Sequence, residues 1–503
     1  MADVPTSEWG WPTVGAVLAG LLTYLAAATG MALAGFLGAL QVGLLVGIVV
    51  GLVSPSVRVS LAAVVVSLGV GVVVSPPWFQ EGQPLTLAVL LVVALAVAAG
   101  ARVVVDGGQL RPSMLVGVGL LVAAGCLLLV ASGIASSPSD KYDGRTELQE
   151  LARRPVAGQL WGDSEFYRAV VWHLRDGEPF LTAFRSAYHE NGRWNRDPDS
   201  MLGVRTPLIY EFWRVLPGEW PVTALWVLLG LTCAAMLLSP VVISGAVPPA
   251  LSIASATGLA AYVFGFAVMP TTLFLSEIWT GVVGVFVFAL FARARREGAS
   301  RWWMVSAAAV ACLAAFAREL MVFLLVAGLL AAFFAPRERR RFDMAAWALP
   351  LLIALGAWVV HLMAARAIIT PVASVGFAWA KHGGIGNLLS GLTSSTWFVG
   401  STWVPITIAL LGIAGAAALP DRQYRAFALA AVCMPLVGFL FVGTDAVLRG
   451  SGIAFNYWGA IVVPALFVLA PASLGWIPGM RARGAASLAP GSNTESTAAA
   501  VTD

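Results

Sequence analysis

The most conspicuous shortage in the sequence is charge. Only 11% of the 503 residues are Asp, Glu, Lys or Arg, whereas 59% are hydrophobic, and the mean hydropathy is +0.85. Soluble domains carry about 25% charged residues. The composition therefore excludes a water-soluble globular protein and predicts a chain whose apolar atoms are covered by membrane lipid.

Cysteine and histidine are also scarce, with four residues of each. The cysteines lie far apart within apolar runs, without the C-x-x-C or histidine spacing of a metal site, so we interpret them as packing residues. No H-x-x-x-H motif or carboxylate cluster indicates a tightly held metal. We therefore predict no firm cofactor and leave open a weakly bound Mg²⁺ or Mn²⁺. No basic stripe with interleaved aromatics indicates a nucleic-acid partner.

Long apolar runs dominate what the sequence does contain. A membrane-spanning helix needs about 20 mostly apolar residues. On this criterion we predict an all-α fold, a polytopic transmembrane helix bundle of about 14 spans with a large extracytoplasmic loop. The predicted spans are residues 12–34, 37–54, 59–76, 84–101, 113–135, 220–243, 249–268, 277–294, 302–317, 320–335, 343–363, 396–418, 425–443 and 455–475.

Arginines in the short connections predict the orientation, because positive charge is retained on the cytoplasmic side. Nearly every second connection is basic, which places both termini in the cytoplasm and the chain in the cell membrane as a multi-pass protein. Arg318 and Glu319 interrupt the apolar stretch 302–335. A charge at a helix centre costs about 2.5 to 3.5 kcal/mol, so we place this pair at an outer hairpin tip.

This topology divides the chain into three regions. Residues 1–112 form an N-terminal four-span membrane region, and residues 113–480 form the main membrane region, which includes the outer loop 136–219. Residues 481–503 are rich in Ser, Ala, Thr and Gly, which is typical of a disordered cytoplasmic tail.

The outer loop contains an amphipathic segment at 161–175. Its apolar residues recur at three- and four-residue spacing, which predicts a helix. With tryptophans beside it, we expect this helix to lie at the membrane interface. Asp163 and Glu165 fall in its first turn. Asp163 is either a simple N-cap or a carboxylate that accepts a proton or hydrogen bond from a substrate hydroxyl, and the two roles are compatible.

Other charged residues are predicted on the same outer side of the membrane. Arg205, before Thr-Pro, is either an interfacial anchor or a group that fixes the loop or binds phosphate. Glu277 begins a span, and Arg449 lies in the last outer connection. Together with Arg318 and Glu319, these residues are the candidates for binding substrate or phosphate.

Short motifs in and beyond the loop share a pattern with a known superfamily. They are Gly162-Asp-Ser-Glu-Phe-Tyr167, Asp176-Gly-Glu-Pro-Phe180, Arg205-Thr-Pro-Leu208, Ser276-Glu-Ile-Trp-Thr-Gly281 and Ala317-Arg-Glu-Leu320. The set resembles polytopic GT-C glycosyltransferases, including bacterial mannosyl- and arabinosyltransferases, which carry an essential acidic residue in the first outer loop. The chain departs from their simplest pattern because four spans precede the one that leads into the loop.

The resemblance implies that residues 113–480 form a GT-C-like catalytic region. It implies transfer of a sugar from a polyprenyl-phosphate donor to an extracytoplasmic glycan, lipid or protein acceptor of the cell envelope. Asp163, or failing it Glu165, would orient or deprotonate the acceptor hydroxyl, and an outer arginine would hold the departing phosphate.

Two other functional classes fit the same topology. An outer-face polysaccharide ligase or polymerase also has many spans and one long outer loop. A non-enzymatic transporter or flippase would place charged groups at the bilayer midplane. A transporter needs a polar cavity at mid-depth, whereas a glycosyltransferase needs an outer cleft that contains Asp163 and opens sideways to lipid.

Overall fold

A computed structural model describes six stretches of the chain in detail. They are residues 153–192, 194–198, 203–247, 273–369, 403–441 and 456–476, with isolated residues at 255–263 and at 388. The four-span region 1–112, the tail 481–503, the first five predicted spans and Arg449 lie outside the described residues.

The described residues are predominantly helical and contain no β-strand, as the all-α prediction requires; an isolated bridge joins Ser244 and Val247. Four short 3-10 segments continue or connect the helices: Glu319–Met321, Arg366–Ile368, Asn456–Ile461 and Ala470–Trp476. The α-helices are α1 Asp163–Arg175, α2 Phe180–Glu190, α3 Leu208–Arg214, α4 Trp220–Val242, α5 Ser276–Ala294, α6 Trp302–Ala317, α7 Val322–Ala332, α8 Arg337–Ala365, α9 Trp403–Ala418, α10 Arg422–Phe441 and α11 Val463–Leu469.

Four of these elements are long and apolar enough to cross a membrane. They are α4, α5, α10 and the continuous helix Arg337–Ile368, which contains α8. Helices α6, α7 and α9 are shorter apolar helices. The bounds of α4, α5 and α6 agree with the predicted spans to within one residue, because uninterrupted apolar runs define both ends.

The predicted span 455–475 is not one continuous helix. It consists of a 3-10 segment, the short helix α11 and a second 3-10 segment. Pro464 and Pro471 lie within it, and proline lacks the N–H that an α-helix requires while its ring clashes with the preceding turn. Glycines let neighbouring helices approach this broken segment: a Cβ at Gly281 would collide with the carbonyl oxygen of Ala460, and one at Gly415 with that of Leu469.

The helix ends fall into two groups with different chemistry. At one end, α5 and α8 meet the loop segment 153–219, where the ring of Trp279 packs on that of Trp213 and His361 donates to the carbonyl oxygen of Val204. Arg205 of the same segment pairs with Glu319, just after α6. At the opposite end, Arg295, just after α5, pairs with Asp421 before α10 at 3.2 Å, and the Arg422 guanidinium lies over the Phe334 ring. The end that meets segment 153–219 therefore gathers the candidate site residues, and the opposite end gathers the basic connections.

Candidate functional site

The candidate site rests on helix α1, which forms where the sequence predicts it and ends at Arg175; Asp176 caps it before Gly177, whose φ is +95°. Its apolar face is buried against protein. Phe166 makes edge-to-face contacts with Phe184 and Trp194, each with ring centroids 5.0 Å apart. This face packs on α2, α3 and Trp194, so it is not open to lipid as expected from the sequence; the position of the helix at the membrane interface stays a prediction.

Gly162, rather than Asp163, occupies the N-cap position of α1. The Gly162 backbone is extended, and no side chain forms a capping hydrogen bond. Asp163 is instead the first helical residue and half-buried. The Glu165 carboxylate folds back over the helix start, since a Cβ at Gly162 would lie 2.9 Å from Glu165 Oε2. The two acids of the first turn therefore have different surroundings.

An alternating set of charges links three separate parts of the chain. Arg318 Nη2 lies 2.6 Å from Glu277 Oε1, and Arg318 Nη1 lies 2.8 Å from Glu319 Oε1. Arg205 Nη1 approaches the same Glu319 oxygen at 3.2 Å. The sequence prediction of a break at Arg318 is confirmed, because α6 ends at Ala317 and a 3-10 turn begins at Glu319. The break does not expose Arg318, which is fully buried between the two carboxylates.

Arg205 connects this set of charges to α1. Its Nε donates a hydrogen bond to the Tyr167 hydroxyl at 3.3 Å. Tyr167 lies one helical turn after Asp163, so both side chains lie on the same face of α1. Of the two sequence interpretations of Arg205, the structure shows the loop-fixing contact: one guanidinium bridges the loop helix and the α6–α7 turn.

The Tyr167 phenol stays protonated at neutral pH. Burial raises its pKa above the ordinary value; Arg205 opposes this effect, and the nearby Asp163 carboxylate adds to it. Burial likewise raises the pKa of Tyr210, whose ring packs edge-to-face on Tyr167 with centroids 5.5 Å apart. The site thus combines the carboxylate of Asp163 with neutral hydroxyl groups and the Arg205 cation.

His361, near the end of α8, holds the segment before Arg205. Its Nε2 donates to the carbonyl oxygen of Val204 at 3.0 Å, and its ring lies 6.3 Å from that of Phe180 on α2. A long apolar helix is thereby tied to the loop segment 203–219 beside the Arg205 contact. This contact could not be predicted, because a backbone carbonyl carries no sequence signal.

No protein-family model matches the chain, and no curated protein or solved structure is significantly similar to it. Within the stretches that the structure describes, no group of three or more His, Cys, Asp or Glu side chains is placed to hold a metal ion. The weakly bound divalent ion stays a prediction. Because the comparisons give no relative, a function is assigned from the geometry of the site.

The structure brings together four of the seven residues proposed from sequence, Arg205, Glu277, Arg318 and Glu319, with Asp163 acting on their neighbour Tyr167. Glu165 is turned toward the start of its own helix, and Arg449 lies outside the described residues. Sequence reasoning missed Tyr167 and His361 as members of the site. The four-residue spacing from Asp163 to Tyr167 was the one available signal.

Proposed function

We propose that this protein is a membrane glycosyltransferase that moves a sugar from a polyprenyl-phosphate donor to an acceptor hydroxyl outside the cytoplasm. The observation that carries the proposal is that Tyr167 lies beside both the Asp163 carboxylate, at the start of α1, and the Arg205 cation, which donates a hydrogen bond to its hydroxyl. This group stands at the loop end of a set of apolar helices. Sugar transfer from a lipid phosphate requires a base for the acceptor hydroxyl and a cation for the phosphate leaving group, both close to the membrane surface.

The proposed topology is the one predicted from sequence, with about fourteen spans, both termini in the cytoplasm and the loop 136–219 outside. Its support is the separation of the helix ends. The charged residues of α5, α8 and α10 lie in their first two or last two turns, and the arginine-rich connections gather away from the loop. Charges at helix ends favour an outer-face enzyme over a transporter with a charged site at mid-depth.

The two central arginines have different roles in this proposal. Arg318 is held at 2.8 Å or less by two carboxylates and is fully buried, so it positions Glu319 and, through Glu319, Arg205. The Arg205 side chain is 17% exposed, and its ion pair is longer, at 3.2 Å. A bidentate guanidinium suits phosphate oxygens, and we assign Arg205 to the departing phosphate. Glu277, fully buried behind Arg318, is a positioning residue.

The reaction is a direct displacement at the anomeric carbon of the donor sugar. The acceptor oxygen forms the new bond to that carbon while its proton passes to the Asp163 carboxylate. The bond between the anomeric carbon and the phosphate oxygen breaks, and polyprenyl phosphate leaves with the electron pair beside Arg205. Holding both reactants on one rigid helix and one fixed arginine supplies the orientation that such a step needs.

A deletion strain tests the proposed function. Mass spectrometry should detect accumulation of one lipid-linked sugar and loss of that sugar from an envelope glycan. The wild-type gene should restore the glycan, and Asp163→Asn should not, whereas Glu165→Gln should. A lipid-linked oligosaccharide, rather than a monosaccharide, would favour a polysaccharide ligase. Full restoration by Asp163→Asn would contradict the assignment and favour a transporter or flippase.

A further inference from the structure

The helix ends opposite the outer loop carry a dense positive charge that the proposed reaction does not use. The segments 293–301, 337–343 and 421–425 contain ten arginines and four acidic residues. One of the acids, Asp421, pairs with Arg295, and another, Asp343, is buried and accepts a hydrogen bond from Gln423. We call these three segments the basic end.

The basic end is one continuous surface because its arginines bridge different helices. The Arg293 guanidinium lies over the Trp303 ring at 5.8 Å, which joins α5 to α6. The Arg301 guanidinium lies over the Phe342 ring at 5.5 Å, which joins α6 to α8. The positive charge of three connections is therefore concentrated in one place.

Several guanidinium groups of the basic end have N–H donors that no side chain or backbone group accepts among the described residues. Guanidinium donors in a fixed fork match the oxygens of a phosphate group. The buried donors of this kind are Arg295 Nη1, Arg296 Nε, Arg339 Nε and Nη2, and Arg340 Nε.

Large apolar side chains flank these arginines and face outward. Trp302 is 74% exposed, Phe333 53% and Phe334 46%. Tryptophan is enriched at the headgroup level of membranes, and basic pockets between membrane helices on the cytoplasmic side bind anionic headgroups. A soluble anion would leave these aromatic rings in water, whereas a lipid covers them with its acyl chains.

We propose that the basic end binds the phosphate headgroups of anionic phospholipids in the adjacent leaflet. The inference is independent of the glycosyltransferase proposal, since it uses none of the residues of the outer site. Lipid phosphates accept hydrogen bonds from the unpartnered guanidinium donors of Arg296, Arg339 and Arg340, and the acyl chains cover the exposed rings of Trp302 and Phe333. Such a lipid fixes the depth of α6 and α8 in the bilayer.

Purified full-length protein in nanodiscs of phosphatidylcholine and phosphatidylglycerol tests this inference. Native mass spectrometry after partial delipidation should find phosphatidylglycerol retained in preference to phosphatidylcholine. Arg339→Gln with Arg340→Gln should reduce that retention by roughly 25-fold, because each arginine near an anionic surface contributes about a factor of five. The matched control, Arg154→Gln with Arg196→Gln in the outer loop, should retain the lipid as the wild type does.

Lysine variants keep the test decisive if the glutamine variant does not fold. Arg339→Lys with Arg340→Lys preserves the charge but removes the planar fork, so retention of phosphatidylglycerol should fall below that of the wild type. Equal retention of both lipids by the wild type, or displacement of phosphatidylglycerol by an equal concentration of inorganic phosphate, would overturn the proposal. Wild-type retention of phosphatidylglycerol by the glutamine double variant and by the lysine double variant would overturn the proposal as well.

Discussion

Arg318 shows how a charge is kept inside an apolar helix bundle. A buried guanidinium loses its hydration, and only close carboxylates compensate for that cost. Glu277 and Glu319 supply them at 2.6 and 2.8 Å. An outer hairpin tip, as predicted from the sequence, would keep this charge out of lipid by exposing it to solvent. The folded chain uses two acids from neighbouring segments instead.

The Arg318 ion pairs give a prediction about stability. Arg318→Gln should destabilise the protein by about 3 to 5 kcal/mol, because it leaves Glu277 buried without its cation. Glu277→Gln should have a similar effect, and the double variant should cost less than the sum of the two. Thermal unfolding in detergent measures all three. Additive effects would contradict the pairing, as would single variants that unfold like Arg154→Gln, whose exposed partner is Asp176.

The sequence identifies the candidate site residues more readily than it identifies the residues that they contact. Charged residues in an apolar chain are conspicuous, so Asp163, Arg205, Glu277 and Arg318 were candidates before any geometry was known. Their pairing depends on contacts such as that between Arg205 and Glu319, which lie 114 residues apart. No local pattern encodes such a contact. The same reason explains why the carbonyl that accepts from His361 was missed.

At the scale of elements, periodicity predicted the loop helix but not its environment. The apolar stripe of α1 is equally suited to lipid and to protein, and the decision depends on whether α2 and α3 cover it. The broken segment 456–476 shows the reverse case, in which an apolar run met the criterion for a span while its prolines prevented a continuous helix.

Close packing against that broken segment gives a second prediction. Gly415→Ala should destabilise the protein by about 1 to 3 kcal/mol, because the new Cβ would meet the Leu469 carbonyl and force α9 away. Gly356→Ala is the matched control, since a Cβ there meets nothing within 4 Å. Thermal unfolding of the two variants in the same detergent makes the comparison. Equal unfolding temperatures would contradict the tight contact.

At the scale of the whole molecule, the charge distribution predicts the sides of the membrane. In a background with the native cysteines replaced, Ala157→Cys in the exposed start of the loop should react with a membrane-impermeant thiol reagent in intact cells. Ser300→Cys, exposed at the basic end, should react only after permeabilisation, because positive connections stay in the cytoplasm. The reverse pattern of labelling would contradict the orientation.

The most direct test of the central claim is sugar transfer by washed membranes supplied with radiolabelled polyprenyl-phosphate sugars. Wild-type membranes should transfer one of these sugars to an endogenous acceptor. Asp163→Asn should reduce the rate by about 10² to 10⁴-fold, as expected when a general base is removed, and Glu165→Gln should leave it within a few-fold of wild type. Normal transfer by Asp163→Asn, at equal protein abundance, would contradict the account.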